Sequence, residues 1–147
     1  METKFYIDAT PIGKGRPRVT RHGTYTPKKT QEYEKYVKHC FVKSCEAPAP
    51  LGRPLFCIIR AYFPVPKSYT KKQHAELPEK PYTKKPDADN IVKAILDALN
   101  GIAYEDDSAI CEIYCTKYYT AEESGYSEVF ITDSVTDFVS EIVGESE

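Results

Sequence analysis

The sequence predicts one α+β domain, a mixed β-sheet with helices packed against it. Three observations carry this. The chain has 147 residues, the length of one domain with a proper core. Residues 55–63 form a β-prone apolar run closed by Pro64 and Pro66, the mark of a strand. Residues 90–100 place Ile91, Ala94, Ile95, Ala98 and Leu99 on one broad face at 100° per residue, widened by Val92 and Leu96, the mark of a largely buried helix.

The remaining elements follow in order. Residues 4–9 read as a first strand. Residues 11–27 read as a loop, because Pro11, Gly13, Gly15, Pro17, Gly23 and Pro27 interrupt any period. Residues 28–45 read as a helix on the spacing of Tyr33, Tyr36, Val37, Cys40 and Phe41, with Thr26-Pro27 as its start. Residues 46–54 read as a loop. Residues 70–77 make a short helix from Thr70, and 78–86 a basic proline loop. The helix over 90–100 stops at Asn100-Gly101. Residues 109–119 and 126–132 alternate as two paired strands joined at Glu122–Gly125, and 134–143 form a terminal helix beyond which the last residues fray.

Net charge is only −2, but it is unevenly placed. Residues 1–93 hold 19 of the 20 Lys/Arg and 9 of the 22 Asp/Glu. After residue 93 the single basic side chain is Lys117, against 13 acids. A basic surface on one side suits a polyanion, and a bipolar but merely solvated surface fits equally well. No signal-like or membrane-length apolar run is present, and the five cysteines, odd in number and without a Cys-x-x-Cys pair, read as reduced thiols in a cytoplasmic protein. His22, His39 and His74 are isolated and are not assigned to a metal.

The chemistry concentrates in residues 86–107. Asp87 and Asp89 flank one Ala before the buried helix. Lys93 lies on its narrow polar stripe with Asn90, Asp97 and Asn100, and Asp106-Asp107 return after its end. Taken singly, Asp87 can make a turn, Asp89 can cap the helix, Asp106-Asp107 can be turn residues and Lys93 can pair with Asp97. Taken together, four like charges are unfavourable unless a cation neutralises them. Carboxylate oxygens select Mg²⁺ or Mn²⁺, which promote in-line displacement at phosphorus, and a nearby lysine offsets the developing charge. The acid-free basic loop (Lys14, Arg16, Arg18, Arg21), with Lys28 and Lys29, could clamp phosphates, and Tyr25 and Tyr33 could stack on unpaired bases. An ordinary solvated loop is the alternative.

Lys-Gly-Arg-Pro-Arg at 14–18, Tyr-Thr-Pro-Lys-Lys-Thr at 25–30, Asp-Ala-Asp-Asn-Ile-Val-Lys-Ala-Ile-Leu-Asp-Ala-Leu-Asn at 87–100 and Glu-Asp-Asp-Ser at 105–108 together resemble the RusA family of Holliday junction resolvases. The resemblance runs from about residue 5 to residue 132. It implies a small homodimeric protein, often encoded by phages or prophages, that cuts four-way DNA junctions by paired nicks with Mg²⁺. Three aspartates and a lysine carry that activity, here Asp87, Asp89, Asp107 and Lys93, with Asp106 a further candidate ligand or an outer neighbour of the metal. The expected DNA contacts are Lys14, Arg16, Arg18, Arg21, Lys28, Lys29, Lys84 and Lys85. Such a domain occupies residues 1–133, and the acidic segment 134–147 matches no family motif. A related nuclease acting on flaps or other branched DNA, or a non-catalytic DNA-binding accessory protein, remain the alternative readings.

Overall fold

The computed structural model describes residues 1–44 and 51–144. Residue 45 of the expected helix, residues 46–50 of the expected 46–54 loop and the fraying of the last three residues therefore lie outside the described residues. Four strands form one mixed sheet in the order β1 (Glu2–Ile7), β6 (Tyr126–Thr132), β4 (Leu55–Pro64), β5 (Ile110–Thr120). Strand β4 pairs antiparallel with β6 and parallel with β5, and β1 closes the far side antiparallel to β6.

Strand β4 is central because both of its faces are apolar. Leu55 through Ala61 are all buried, and a run without alternation needs cover on both sides. Helices α1 (Lys28–Ser44) and α3 (Ala88–Leu99) supply it on one side. There Phe5, Val37, Phe41, Ile59, Ile91, Ile95, Leu99 and Ile131 share one core, with Phe5 and Phe41 in edge-to-face contact at 5.5 Å. Helix α4 (Val135–Gly144) covers the other side, seating Phe138 against Phe56. Arg60, buried on that face, donates to Glu128 at 3.2 Å and to the Glu141 carbonyl at 3.1 Å. Helix α2 (Lys71–Glu76) is a single capped turn in which Thr70 and Gln73 satisfy each other's backbone amides.

Three sequence expectations change. Strands β5 and β6 are not partners, since β4 lies between them. Their connection crosses the end of β4, and Gly125 permits it: a Cβ there would stand 2.8 Å from the Tyr62 carbonyl oxygen. The presumed loop 11–27 contains an exposed hairpin, β2 (Arg18–Thr20) with β3 (Gly23–Tyr25), turned through Gly23 at φ 119°. Helix α3 starts at Ala88, two residues early, so its N-cap is Asp87 and not Asp89.

Within α1, Tyr33, Val37 and Phe41 are buried, while Tyr36 stays exposed. Burial pushes the Tyr33 hydroxyl up to about 12 and removes this ring from any role in base stacking. No helix among the described residues is long and apolar enough to cross a membrane.

Candidate functional site

Strand β4 and helix α3 are joined by residues 65–87, which deliver Asp87 and Asp89 to the start of α3. Asp87 takes the N-cap position with extended backbone, yet its side chain makes no capping bond. Its carboxylate instead meets the exposed Lys85 ammonium at 3.1 Å. Asp89, in the first turn, is exposed, and its side chain has no hydrogen bond or ion pair among the described residues. Lys93 follows Asp89 by one turn on the same helix face. It too is exposed and forms no ion pair among the described residues. Asp97, its expected partner, binds Lys14 at 3.3 Å.

Lys14 is therefore turned inward. Its side chain is 15% exposed and its ammonium also pairs with Glu34 of α1. Burial pulls its pKa down, but Glu34 and then Asp97 outweigh burial and hold it above the ordinary lysine value. Its charge is thus spent on two acids, against the expectation that it meets phosphate. Its backbone N–H donates to the Asn90 carbonyl at 3.0 Å, and Gly15 lies so close to Thr30 that a Cβ would stand 2.7 Å from its hydroxyl oxygen. The basic loop is thus stitched to both α1 and α3.

The stitched loop and the start of α3 enclose an open groove of about 980 Å³. Arg16, Arg18, Lys29, Lys85, Asp87 and Asn90 are among its lining residues. With Lys14, which also lines it, five of the expected DNA contacts therefore share the groove with one of the expected metal ligands. Arg21 sits at the exposed tip of the β2–β3 hairpin, Lys28 pairs loosely with Glu32 at 3.9 Å, and Lys84 lies over the Tyr69 ring at 5.0 Å.

The returning acids lie elsewhere. Asp107 opens a short 3₁₀ turn (Asp107–Ala109), and its backbone N–H donates to Asn100 at the far end of α3 at 2.8 Å. Eleven to thirteen residues separate that end from Asp89 and Asp87, about 16–20 Å at ~1.5 Å per residue. Two metal–oxygen bonds of about 2 Å cannot span this. Within one chain, no three His, Cys, Asp or Glu side chains among the described residues converge on a cation position. The two carboxylates at Asp87 and Asp89 are hard oxygen donors that no capping bond occupies. This matches the way Mg²⁺ is usually held, by one or two carboxylates together with substrate phosphates.

The acidic pair is divided by its surroundings. The Asp106 carboxylate accepts from the Ser108 hydroxyl and backbone N–H, the latter at 3.1 Å, and these bonds hold its pKa below the usual carboxylate value. Asp107 is shifted the other way by burial, then by Asp106 and Asp97. Asp106 is thus committed to Ser108, while the Asp107 carboxylate is held by Asn100 near the end of α3.

Sequence reasoning missed Lys117 and Tyr82, which donate to the carbonyls of Lys84, Lys85 and Pro86 just before Asp87. Lys117 had a signal in its isolation within an acidic half.

A small α+β fold with an acid in a cationic groove suits work on a phosphodiester chain. The match to family models makes it specific: residues 8–132 fit the endodeoxyribonuclease RusA family, and the chain belongs to it. It is accordingly a hydrolase acting on DNA. A relative in Bacillus subtilis (strain 168), carrying the name "Uncharacterized protein YqaN", is 35% identical over 128 residues, covering 81% of this chain and 89% of its own.

Proposed function

We propose that this protein is a Mg²⁺-dependent endonuclease that resolves four-way DNA junctions by paired nicks, in the cytoplasm, during recombination and repair. The observation that carries the reading is the groove itself, in which Arg16, Arg18, Lys29 and Lys85 surround Asp87 in a chain of the RusA family.

Asp87, Asp89 and Asp107 hold Mg²⁺ in this reading, and Mn²⁺ serves the same oxygen ligands. The bound ion supplies Lewis acidity at the scissile phosphate and lowers the pKa of water. Lys93 projects beyond Asp89 to offset charge on the departing oxygen. The groove cations hold flanking phosphates and fix register without reading sequence.

The distance between the two ends of α3 gives dimerisation a chemical reason. Asp107 of one protomer completes the site that begins with Asp87 and Asp89 of the other. A two-fold dimer then carries two identical sites, which suits a junction of near two-fold symmetry.

The test is cleavage of a synthetic four-way junction, a flap and a linear duplex with Mg²⁺, by wild type and by Asp89→Asn. Cleavage confined to the junction, and a variant that binds it without cutting, is the expected result. Equal cleavage of flap or duplex refutes junction specificity, and full activity of Asp89→Asn removes that residue from the site.

A further inference from the structure

Lys117 is the one Lys or Arg after residue 93, and it points at backbone rather than at an acid. It lies on β5, half-buried. Its ammonium donates to the Lys84 carbonyl at 2.8 Å and to the Pro86 carbonyl at 2.8 Å. The carbonyl between them, that of Lys85, accepts from the Tyr82 hydroxyl at 3.2 Å. Three consecutive carbonyls immediately before Asp87 are therefore held by two side chains.

Those side chains are themselves fixed. The Tyr82 ring stacks on Phe63 at 3.9 Å and meets Tyr119 edge-on at 5.0 Å. Lys117 sits over the Tyr82 ring, 5.6 Å from its centre. Up to Tyr82 the incoming segment is bound to the β5 edge through its backbone: Glu79 donates to the Tyr119 carbonyl, Tyr119 to that of Lys80, and Tyr82 to that of Lys117, each at 2.9 Å. Beyond Tyr82 the chain leaves the sheet edge, and α3 begins only at Ala88. The gap between sheet and helix is where the Lys117 and Tyr82 side chains act.

We infer that Lys117, seconded by Tyr82, is a positioning residue that fixes the Asp87-Ala88-Asp89 carboxylates by clamping the carbonyls of residues 84–86. The inference rests on the reading of Asp87 and Asp89 as metal ligands and deepens it. Two charge-assisted hydrogen bonds from one ammonium are strong, and small misplacements of reacting groups cost rate steeply. Lys117 touches neither metal nor phosphate in this account.

The experiment compares wild type, Lys117→Met, Lys117→Arg and Tyr82→Phe on three readouts. Hydrogen exchange reports amides 83–90 against the buried α3 amides 94–98. Mg²⁺ titration of junction cleavage reports the half-saturating concentration and kcat. Junction binding in Ca²⁺ reports affinity without cutting.

Lys117→Met is expected to speed exchange at 83–90 alone, to raise the Mg²⁺ half-saturation about tenfold and to lower kcat about tenfold to hundredfold. Junction affinity stays unchanged. Lys117→Arg, which keeps the donors, recovers part of the loss, and Tyr82→Phe gives a smaller change in the same direction. A merely structural lysine would lower thermal stability and leave the Mg²⁺ dependence alone. If Lys117→Met does not fold, Tyr82→Phe decides, since it keeps the ring stack and removes one bond.

An active wild type with unchanged Mg²⁺ dependence in Lys117→Met and Tyr82→Phe overturns the inference alone. Loss of junction affinity in Ca²⁺ overturns it in favour of direct DNA contact. A wild type that cuts no DNA overturns both the inference and the nuclease reading beneath it. Unchanged exchange at 83–90 shows that no clamp exists, whatever the activity.

Discussion

Replacing Lys14 by Met separates two roles for a lysine in the basic loop. In the structure Lys14 joins three elements: its ammonium bridges Glu34 on α1 and Asp97 on α3, and its backbone binds Asn90. At the 3.3 Å separation from Asp97, one pair is worth about 5 kcal/mol of gross attraction at an effective dielectric of ~20. Ordering the long lysine side chain takes back about 2 kcal/mol, and desolvation takes back more. With the three side chains 15%, 20% and 26% exposed, solvent at the rim screens what is left.

A net loss of about 2 kcal/mol follows for Lys14→Met, including the repulsion left between Glu34 and Asp97. For a chain of this size that is about 4–8 °C in Tm. Because Lys14 titrates above its ordinary value, the stabilisation is complete below about pH 10.4 and fades as pH rises through the folded-state pKa. The assay is urea unfolding followed by circular dichroism, paired with junction binding across a salt series. The expected outcome is a lower unfolding midpoint with the salt slope unchanged. An unchanged midpoint with a slope shallower by about 1 would identify Lys14 as a phosphate contact and refute the reasoning.

Other outcomes follow from single contacts. Tyr104 is fully buried and donates to the Leu96 carbonyl at 2.6 Å, so Tyr104→Phe leaves that carbonyl unsatisfied and lowers unfolding free energy by about 1–2 kcal/mol. Gly125→Ala drives a Cβ into the Tyr62 carbonyl and costs about 1–3 kcal/mol by denaturant unfolding. Gly52→Ala, with nothing within 4 Å of its added carbon, stays within about 0.5 kcal/mol of wild type. The hydrogen bond from Lys4 holds Glu141 below the usual carboxylate value against opposing burial, with the charges of Lys4 and Arg60 adding to it. Its contribution is therefore full above about pH 4.3 and lost as pH falls through the lower folded-state pKa, and Glu141→Gln flattens that limb of the stability–pH curve.

What the sequence revealed and what it concealed divide along a physical line. The buried face of α3 was legible because burial repeats with the helical period, and Ile91, Ala94, Ile95, Ala98 and Leu99 are all buried. The α2 cap at Thr70 and the strand at 55–63 were legible for similarly local reasons. Alternation identifies a strand but not its neighbour, so the insertion of β4 between β5 and β6 was hidden. The β2–β3 hairpin was hidden because it buries nothing and leaves no period to find.

The site was partly legible. Asp87, Asp89 and the basic loop stand out in sequence, and the structure gathers Arg16, Arg18, Lys29 and Lys85 at Asp87. Where Asp107 sits relative to them within one chain was hidden, because closeness in sequence does not fix closeness in space. The rigid rise of the intervening helix separates the two acidic groups. The partners of Lys14 and Lys117 were beyond sequence reasoning, since Asp97, Lys84 and Pro86 are distant from them in the chain.

Subunit complementation tests the central claim most directly. Asp89→Asn and Asp107→Asn proteins, each inactive alone, are unfolded together, refolded as a mixture and assayed for nicking of a four-way junction with Mg²⁺. If the site combines Asp87 and Asp89 of one protomer with Asp107 of the other, the mixed dimer contains one intact site and the mixture nicks one strand per junction. If each site is built within a single chain, both sites of every dimer are damaged, and an inactive mixture contradicts the account.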